Sequence, residues 1–342
     1  MLAVRAYQLG VMLGGGLLPL LLERRAMAGR EDPDRFYERK ARNMAPRTAG
    51  NLVWLHAASV GETRSALPLL ADFLAVRPDI HILITTGTRT SATLVGQLKH
   101  ATFPDIDRLT HQYLPLDRPL WVKRFLDHWS PQLAIFVESE LWPNLLLEMR
   151  RRNIPATLIN GRLSEKSFKF WRRAKNSARA LFGCFDMLLA QDDITAQRWQ
   201  ELGLKDIVSV GNLKLDAPPL NADASALNEL RDALQNRPVW VAASTHSGEE
   251  DIIAECHRAL RAMHPDLLCI LVPRHPERGA EIAELLSRAG EKSPRRSAGT
   301  LPCAKHAFYI GDTLGEMGLY YRLGGLVFMG GSLVPHGGQN PL

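Results

Sequence analysis

Val53-Trp54-Leu55-His56-Ala57-Ala58-Ser59-Val60-Gly61-Glu62-Thr63 is the stretch from which the fold can be read. It begins apolar and short, like a buried parallel strand. It ends in small residues and a glycine, where a backbone turns tightly. Ser65-Ala66-Leu67-Pro68-Leu69-Leu70-Ala71-Asp72-Phe73-Leu74 follows with helical spacing. The segment therefore reads as strand, glycine turn and helix, with Glu62 at the helix start. Unpaired N–H groups and the positive end of the helix dipole favour an ionised carboxylate at that position. A fixed, ionised, water-accessible carboxylate is what a general base needs to be. Helices also favour first-turn acids for no catalytic reason, so this segment alone leaves both readings open.

The rest of the chain narrows the choice. Its 342 residues suggest two domains, and 46% hydrophobic with 23% charged residues is the balance of a globular protein. The net charge of +6 and pI of about 9.2 point to nucleic acid, acidic lipid or a phosphorylated substrate. No long Lys/Arg run interleaved with aromatics is present, which makes nucleic acid the weakest of the three. Cys184, Cys256, Cys269 and Cys303 form no C-x-x-C pair. That argues against a structural zinc or a disulfide framework and for a reducing compartment.

Residues 7–22 form the most apolar segment. It is shorter than the ~20 residues of a spanning helix and contains Gly14-Gly15-Gly16 and Pro19. No small-residue cleavage motif follows, so a removed signal peptide fits poorly. Arg24, Arg25, Arg30, Arg35, Arg39, Lys40 and Arg42 come next. By the positive-inside rule they would stay cytoplasmic. The segment reads as a membrane anchor or an interfacial helix, with a buried core helix as the alternative.

From about residue 50 strands alternate with helices: 80–85, 133–137, 156–160, 187–190 and 207–211 after the first. That rhythm means a parallel α/β sheet, whose ligands gather beyond the carboxyl ends of the strands. Glu62, Thr86 to Ser91, Glu138, Asn160 with Arg162, and Lys214 fall at those ends. At most one of Glu138 and Glu140 is expected to face a cleft. Pro218, Pro219 and Pro238 interrupt the pattern, which then restarts with strands at 239–243, 267–272, 307–310 and 325–329. The expected division is an anchor and basic linker over 1–45, a Rossmann-like domain over 46–217 and a second over 218–342. Such a pair suits a nucleotide-activated donor held in a cleft between them. Gly330-Gly331-Ser332, Gly337-Gly338, Ser244-Thr245-His246 and Pro273-Arg274-His275 are loops that could hold a phosphate.

Several chemistries are disfavoured. No G-x-G-x-x-G opens a first helix, and neither G-x-x-x-x-G-K-[ST] nor G-x-S-x-G occurs. His56, His246, His275 and His336 read as lying on separate loops without paired spacing, so a metal site is not expected. Lys214 reads by default as an exposed cation. In a functional reading it would offset charge building on a departing phosphate.

Together the motifs resemble the 3-deoxy-D-manno-octulosonic acid (Kdo) transferases of Gram-negative bacteria. The likeness runs through His56-Ala57-Ala58-Ser59-Val60-Gly61-Glu62-Thr63, Glu138-Ser139-Glu140-Leu141-Trp142-Pro143-Asn144, Asn160-Gly161-Arg162-Leu163-Ser164 and Gly211-Asn212-Leu213-Lys214-Leu215-Asp216. It continues through Ser244-Thr245-His246-Ser247-Gly248-Glu249-Glu250, Leu271-Val272-Pro273-Arg274-His275-Pro276, Gly311-Asp312-Thr313-Leu314-Gly315-Glu316-Met317, Gly330-Gly331-Ser332-Leu333 and Gly337-Gly338-Gln339-Asn340-Pro341-Leu342. The resemblance implies the GT-B fold, two Rossmann-like domains facing a cleft, and transfer of Kdo from CMP-Kdo to the lipid A precursor (lipid IVA) with inversion. It implies no metal and no cofactor. Glu62 falls on its general base, and Glu138 and Lys214 on positions that stabilise the transition state. Pro273, Arg274, Gly315, Glu316, Met317, Asn340, Pro341 and Leu342 fall on its CMP-binding segments. It also implies an N-terminal anchor on the cytoplasmic face of the inner membrane. There the positive charge would attract a doubly phosphorylated glycolipid and an anionic surface. Family members continue past the Asn-Pro-Leu motif with a glutamate that helps hold the ribose, whereas this sequence stops at Leu342, so the second domain is expected to be incomplete. A GT-B glycosyltransferase or sugar-nucleotide epimerase of another family remains an alternative. A chain that docks on membranes or binds the lipid without turnover is another.

Overall fold

The computed structural model describes residues 2–29, 31–98, 106–138, 140–216 and 219–335. The chain divides into two compact units, Met1–Ala217 and Pro218–Leu342.

The first unit opens with helices α1 (Leu2–Gly14) and α2 (Leu18–Met27), bent 73° from one another at the glycine run. Three glycines carry no side chains to hold a continuous helix, and Pro19 is tolerated because it starts the second one. Among the described residues no single helix is long and apolar enough to cross a membrane, although this bent pair has the length and composition. One side of the pair is packed, with Val4 and Leu22 buried, while Leu2, Met12, Leu13, Leu17 and Met27 are exposed. Gln8 Nε2 donates to Asn144 Oδ1 at 3.2 Å. The apolar N-terminus is thus part of the first unit and not a separate body.

Strands and helices then alternate: β1 (Asn51–Ala57), α3 (Val60–Val76), β2 (Ile80–Thr86), α4 (Arg89–Leu98), β3 (Leu109–Tyr113), α5 (Pro119–Trp129), β4 (Leu133–Val137), α6 (Pro143–Arg151), β5 (Ala156–Gly161), α7 (Glu165–Arg173), α8 (Lys175–Phe182), β6 (Met187–Ala190), α9 (Asp193–Glu201) and β7 (Ile207–Ser209). The seven strands are parallel in the order β3-β2-β1-β4-β5-β6-β7. Helices cover both faces, so each strand is apolar on both sides. Leu52, Trp54, Ala134 and Phe136 belong to one core, and Val53, Leu55, Ile135 and Val137 to the other. The two cores are the two phases of the same strands. β3 escapes a reading of apolar runs because Thr110, His111 and Gln112 dilute it. It pairs only with β2, at the edge of the sheet, where a half-polar strand is tolerated.

The second unit holds α10 (Ala224–Leu234), β8 (Val239–Thr245), α11 (Glu249–Met263), β9 (Leu268–Pro273), α12 (Gly279–Arg288), β10 (Phe308–Ile310), α13 (Met317–Leu323) and β11 (Leu326–Met329). Its strands are parallel in the order β10-β9-β8-β11. Both faces are again buried, Val239 and Val241 on one and Trp240 and Ala242 on the other. In each sheet the strand order reverses beside the unit's first strand. This is the switch point at which open α/β sheets bind ligands.

Candidate active site

In the first unit the switch point lies between β1 and β4, and the loops leaving those strands carry Glu62 and Glu138. Ser59 caps α3, and Ser59-Val60-Gly61-Glu62 has the S-x-x-E spacing that couples a cap to a first-turn acid. Glu62 N–H donates to Ser59 Oγ at 3.2 Å, Ser59 Oγ donates back to Glu62 Oε1 at 2.9 Å, and Ala58 N–H donates to Glu62 Oε2 at 2.8 Å. Each carboxylate oxygen is therefore held by one donor and keeps further accepting capacity. The side chain is nearly buried, at 9% exposure.

Position at a helix start suggests an easily ionised acid, but the balance runs the other way. Burial pushes the Glu62 carboxyl above its ordinary value, the Ala58 and Ser59 hydrogen bonds pull it back only in part, and the charges of Glu138 and Glu140 add to the rise. A carboxylate raised toward neutrality accepts a proton more readily than a surface glutamate, which suits a base working near neutral pH.

Glu138 and Glu140 are both close enough to act on Glu62, against the expectation that only one of them would. Alternation stops at Val137: Glu138 has φ of 63°, in the left-handed region that non-glycine residues seldom adopt. Glu138 Oε1 pairs with Lys214 Nζ at 2.7 Å. Lys214, expected to be solvated, is half-buried on the turn after β7, Leu213–Asp216. Asn160 positions that turn, since its Oδ1 accepts the Leu213 N–H at 2.9 Å from a left-handed φ of 50°. Glu140 faces His56, with Oε2 3.9 Å from Nε2. Hydrogen bonding to His56 holds the Glu140 carboxyl below its ordinary value. His56 is not on a loop: it lies in β1, buried, with Nδ1 2.9 Å from Thr85 Oγ1. A strand histidine breaking an apolar run was the available signal for this contact. Thr85 carries no such signal, and Asn160 shows only as a polar residue at a strand end.

In the second unit two of the loops expected to bind phosphate are otherwise engaged. Glu249, fully buried at the start of α11, accepts the N–H groups of His246, Gly331, Ser332 and Leu333 at 2.8–3.1 Å. The anion in the Gly330-Gly331-Ser332 cradle is the protein's own carboxylate. Burial raises Glu249, yet the four backbone donors more than offset that and its net shift is downward. Gly330 admits no side chain, because a Cβ there would lie 2.4 Å from Ser244 O. Glu250 is likewise buried, bound to Thr245 Oγ1 at 2.9 Å and Arg278 Nη1 at 2.7 Å.

Pro273 closes β9 and Arg274 follows it, exposed, with its N–H on Thr245 O at 3.0 Å. β9 and β10 are neighbours, so the Pro273-Arg274 loop and the loop through Gly315 leave the same edge of the sheet. Gly315 takes φ of 83°, and Met317 opens α13. Glu316 is bound within the unit, accepting from Arg296 Nη2 at 2.9 Å and from Thr313 Oγ1. Asn340, Pro341 and Leu342, with His336 and Gly337-Gly338, lie outside the described residues, as do Ser139 and Pro218. Among the described residues no three His, Cys, Asp or Glu side chains converge as metal ligands.

A family model for 3-deoxy-D-manno-octulosonic-acid transferase (kdotransferase) matches residues 33–217. A 3-deoxy-D-manno-octulosonic acid transferase from Haemophilus influenzae is 41% identical over 297 residues, covering 85% of this chain and 67% of that one. The chain belongs to the Kdo transferase family. A second member, from Rickettsia felis, is 37% identical over 86% of this chain and 62% of its own. The chain thus spans about two-thirds of the length of the curated Kdo transferases it matches. The crystal structure of the UDP-GlcNAc 2-epimerase from Neisseria meningitidis is 12% identical, with a TM-score of 0.55 over 81% of this chain and 77% of that one. At that identity the likeness speaks to architecture alone, and it places this Kdo transferase family member in the GT-B fold.

Proposed function

We propose that this chain transfers Kdo from CMP-Kdo to the lipid A precursor, lipid IVA, with inversion at the anomeric carbon. Glu62 is the general base. The observation that carries the reading is Glu62 held by two hydrogen bonds and raised by burial, at the switch point of the first sheet and within the influence of Glu138. Membership of the Kdo transferase family supports the donor and the transferred sugar.

In this reading Glu62 takes the proton of the acceptor hydroxyl as its oxygen forms the new bond to the Kdo anomeric carbon. The bond from that carbon to the CMP phosphate breaks, and CMP leaves with the electron pair. Lys214 offsets the developing negative charge. Glu138 fixes the ammonium group of Lys214 at 2.7 Å. Pro273, Arg274 and the Gly315–Met317 loop take the CMP moiety, with Asn340, Pro341 and Leu342.

The exposed apolar side chains of α1 and α2, beside Arg24 and Arg25, support seating on the cytoplasmic face of the inner membrane, lying in its surface. A turnover assay with CMP-Kdo and lipid IVA tests the whole reading. Glu62→Gln loses ~10²–10⁴-fold in turnover with CMP-Kdo affinity unchanged. Full activity in that variant assigns the proton to another group.

A further inference from the structure

A cavity of about 400 Å³ opens in the first unit beside the catalytic pair, lined by Glu138, Arg162, Ser164, Ser167, Trp171 and Phe182. A second, of about 300 Å³, shares Arg162 and Ser164 as its wall. Among the described residues no hydrogen bond or ion pair engages the Arg162 guanidinium, which is exposed. Ser164 Oγ donates to Ser167 Oγ at 3.0 Å, so two hydroxyls stand together on the same wall. The acid in the larger cavity, Glu138, is already matched by Lys214. The cavity therefore carries an unbalanced positive charge next to paired hydroxyls. The lining also has an apolar part, in which Trp171 meets Phe182 edge to face, ring centroids 5.9 Å apart. Just outside it α7 exposes Lys166, Lys169, Arg172 and Arg173, which would draw an anion toward the opening.

We infer that this cavity is the subsite for a phosphorylated sugar end of the acceptor glycolipid. Arg162 forks onto the phosphate, with the Ser164 and Ser167 hydroxyls as further donors. Trp171 and Phe182 pack the apolar face of the sugar ring. The volume is at the small end for ligand sites, ~300–1,000 Å³, which fits one sugar phosphate and leaves the acyl chains outside. Because Glu138 lines the same cavity, a sugar anchored there lies beside the Glu138–Lys214 pair. The assignment rests on the proposed transfer to a lipid acceptor and names the part of the site that selects it.

The test is binding, which does not depend on turnover. Lipid IVA and its enzymatically dephosphorylated form, each in detergent micelles, are titrated against the full chain and against Arg162→Gln, Arg162→Lys and Trp171→Ala. The chain binds the phosphorylated lipid about tenfold more tightly than the dephosphorylated one, as a charge-assisted hydrogen bond provides. Arg162→Gln abolishes that preference, Arg162→Lys restores part of it, and Trp171→Ala weakens both lipids alike. A preference undiminished in Arg162→Gln, or none in the parent chain, overturns the subsite. An Arg162-dependent preference without Kdo transfer keeps the subsite and removes the transferase reading. Transfer with an Arg162-independent preference does the reverse.

Discussion

Lys214 and Glu138 form a half-buried ion pair, Nζ to Oε1 2.7 Å, between the loop that leaves β4 and the turn that follows β7. The sheet brings these two loops to the same edge, and a side chain at β5, Asn160, sets the turn that carries the lysine.

Because the pair is coupled, its members do not act independently. Lys214→Ala and Glu138→Gln each lower turnover, and the double variant loses less than the product of the single losses by about fivefold, a coupling of ~1 kcal/mol. A double-mutant cycle on kcat/KM measures this. Additive losses mean that the ion pair is structural and that the two residues contribute separately.

The pH dependence of transfer follows from Glu62. Its raised carboxyl sets the acidic limb of kcat/KM above the ordinary glutamate value of ~4.3. Glu140→Gln removes a neighbouring negative charge, which makes the ionised form of Glu62 easier to reach and moves that limb to lower pH. Ser59→Ala removes a donor to the ionised form and moves it to higher pH. Opposite shifts in the two variants identify Glu62 as the titrating group. A limb unmoved by both places the titration elsewhere.

Asp117 predicts a pH dependence of folding. Its carboxylate caps α6, accepting the N–H groups of Asn144 at 2.9 Å and Leu145 at 2.8 Å. Burial nevertheless pushes its pKa up to about 6 from 3.8, against those hydrogen bonds and one from Tyr7. With the folded value above the unfolded one, the folded state binds more protons between the two. The stabilisation is therefore complete below about pH 4 and lost as pH rises through 6, a span of roughly 3 kcal/mol. Asp117→Asn flattens this part of the curve of unfolding free energy against pH in urea titrations. A slope unchanged in the variant removes Asp117 as its source.

Glu249 predicts a stability effect that is local to the second unit. Glu249→Ala leaves the N–H groups of Gly331, Ser332 and Leu333 without their acceptor. Of these the Gly331 N–H is buried, and a buried donor so orphaned costs about 1–3 kcal/mol. The expected outcome is a thermal transition of the second unit lowered by several degrees, with hydrogen exchange at those three amides accelerated. Glu249→Gln keeps one carbonyl acceptor and falls between. Unaltered exchange at Gly331 to Leu333 removes the cradle assigned to Glu249.

Much of the architecture is local information. Apolar runs of four to six residues between helical stretches are enough to place ten of the eleven strands among the described residues, because a strand covered on both faces has no polar phase. The exception, β3, is an edge strand whose Thr110 and His111 need no apolar partner on the open side. Ser59-Val60-Gly61-Glu62 likewise announces a helix start, and the glycine-rich ends of strands mark where ligands gather.

What each of those loops does was settled only by tertiary structure. The sequence places Gly330-Gly331-Ser332 as a loop open to an anion, and does not say that Glu249, 82 residues earlier, is that anion. It places Glu138 and Glu140 two residues apart just past the end of β4, and does not reveal the left-handed backbone at Glu138 that takes the chain out of the strand there. Nor does it pair Lys214 with Glu138, or His56 with Glu140. Periodicity is a property of neighbours along the chain and fixes which face a side chain takes. Which carboxylate meets which cation depends on the order and register of parallel strands joined by long crossovers, and that order is set by the packing of the whole sheet.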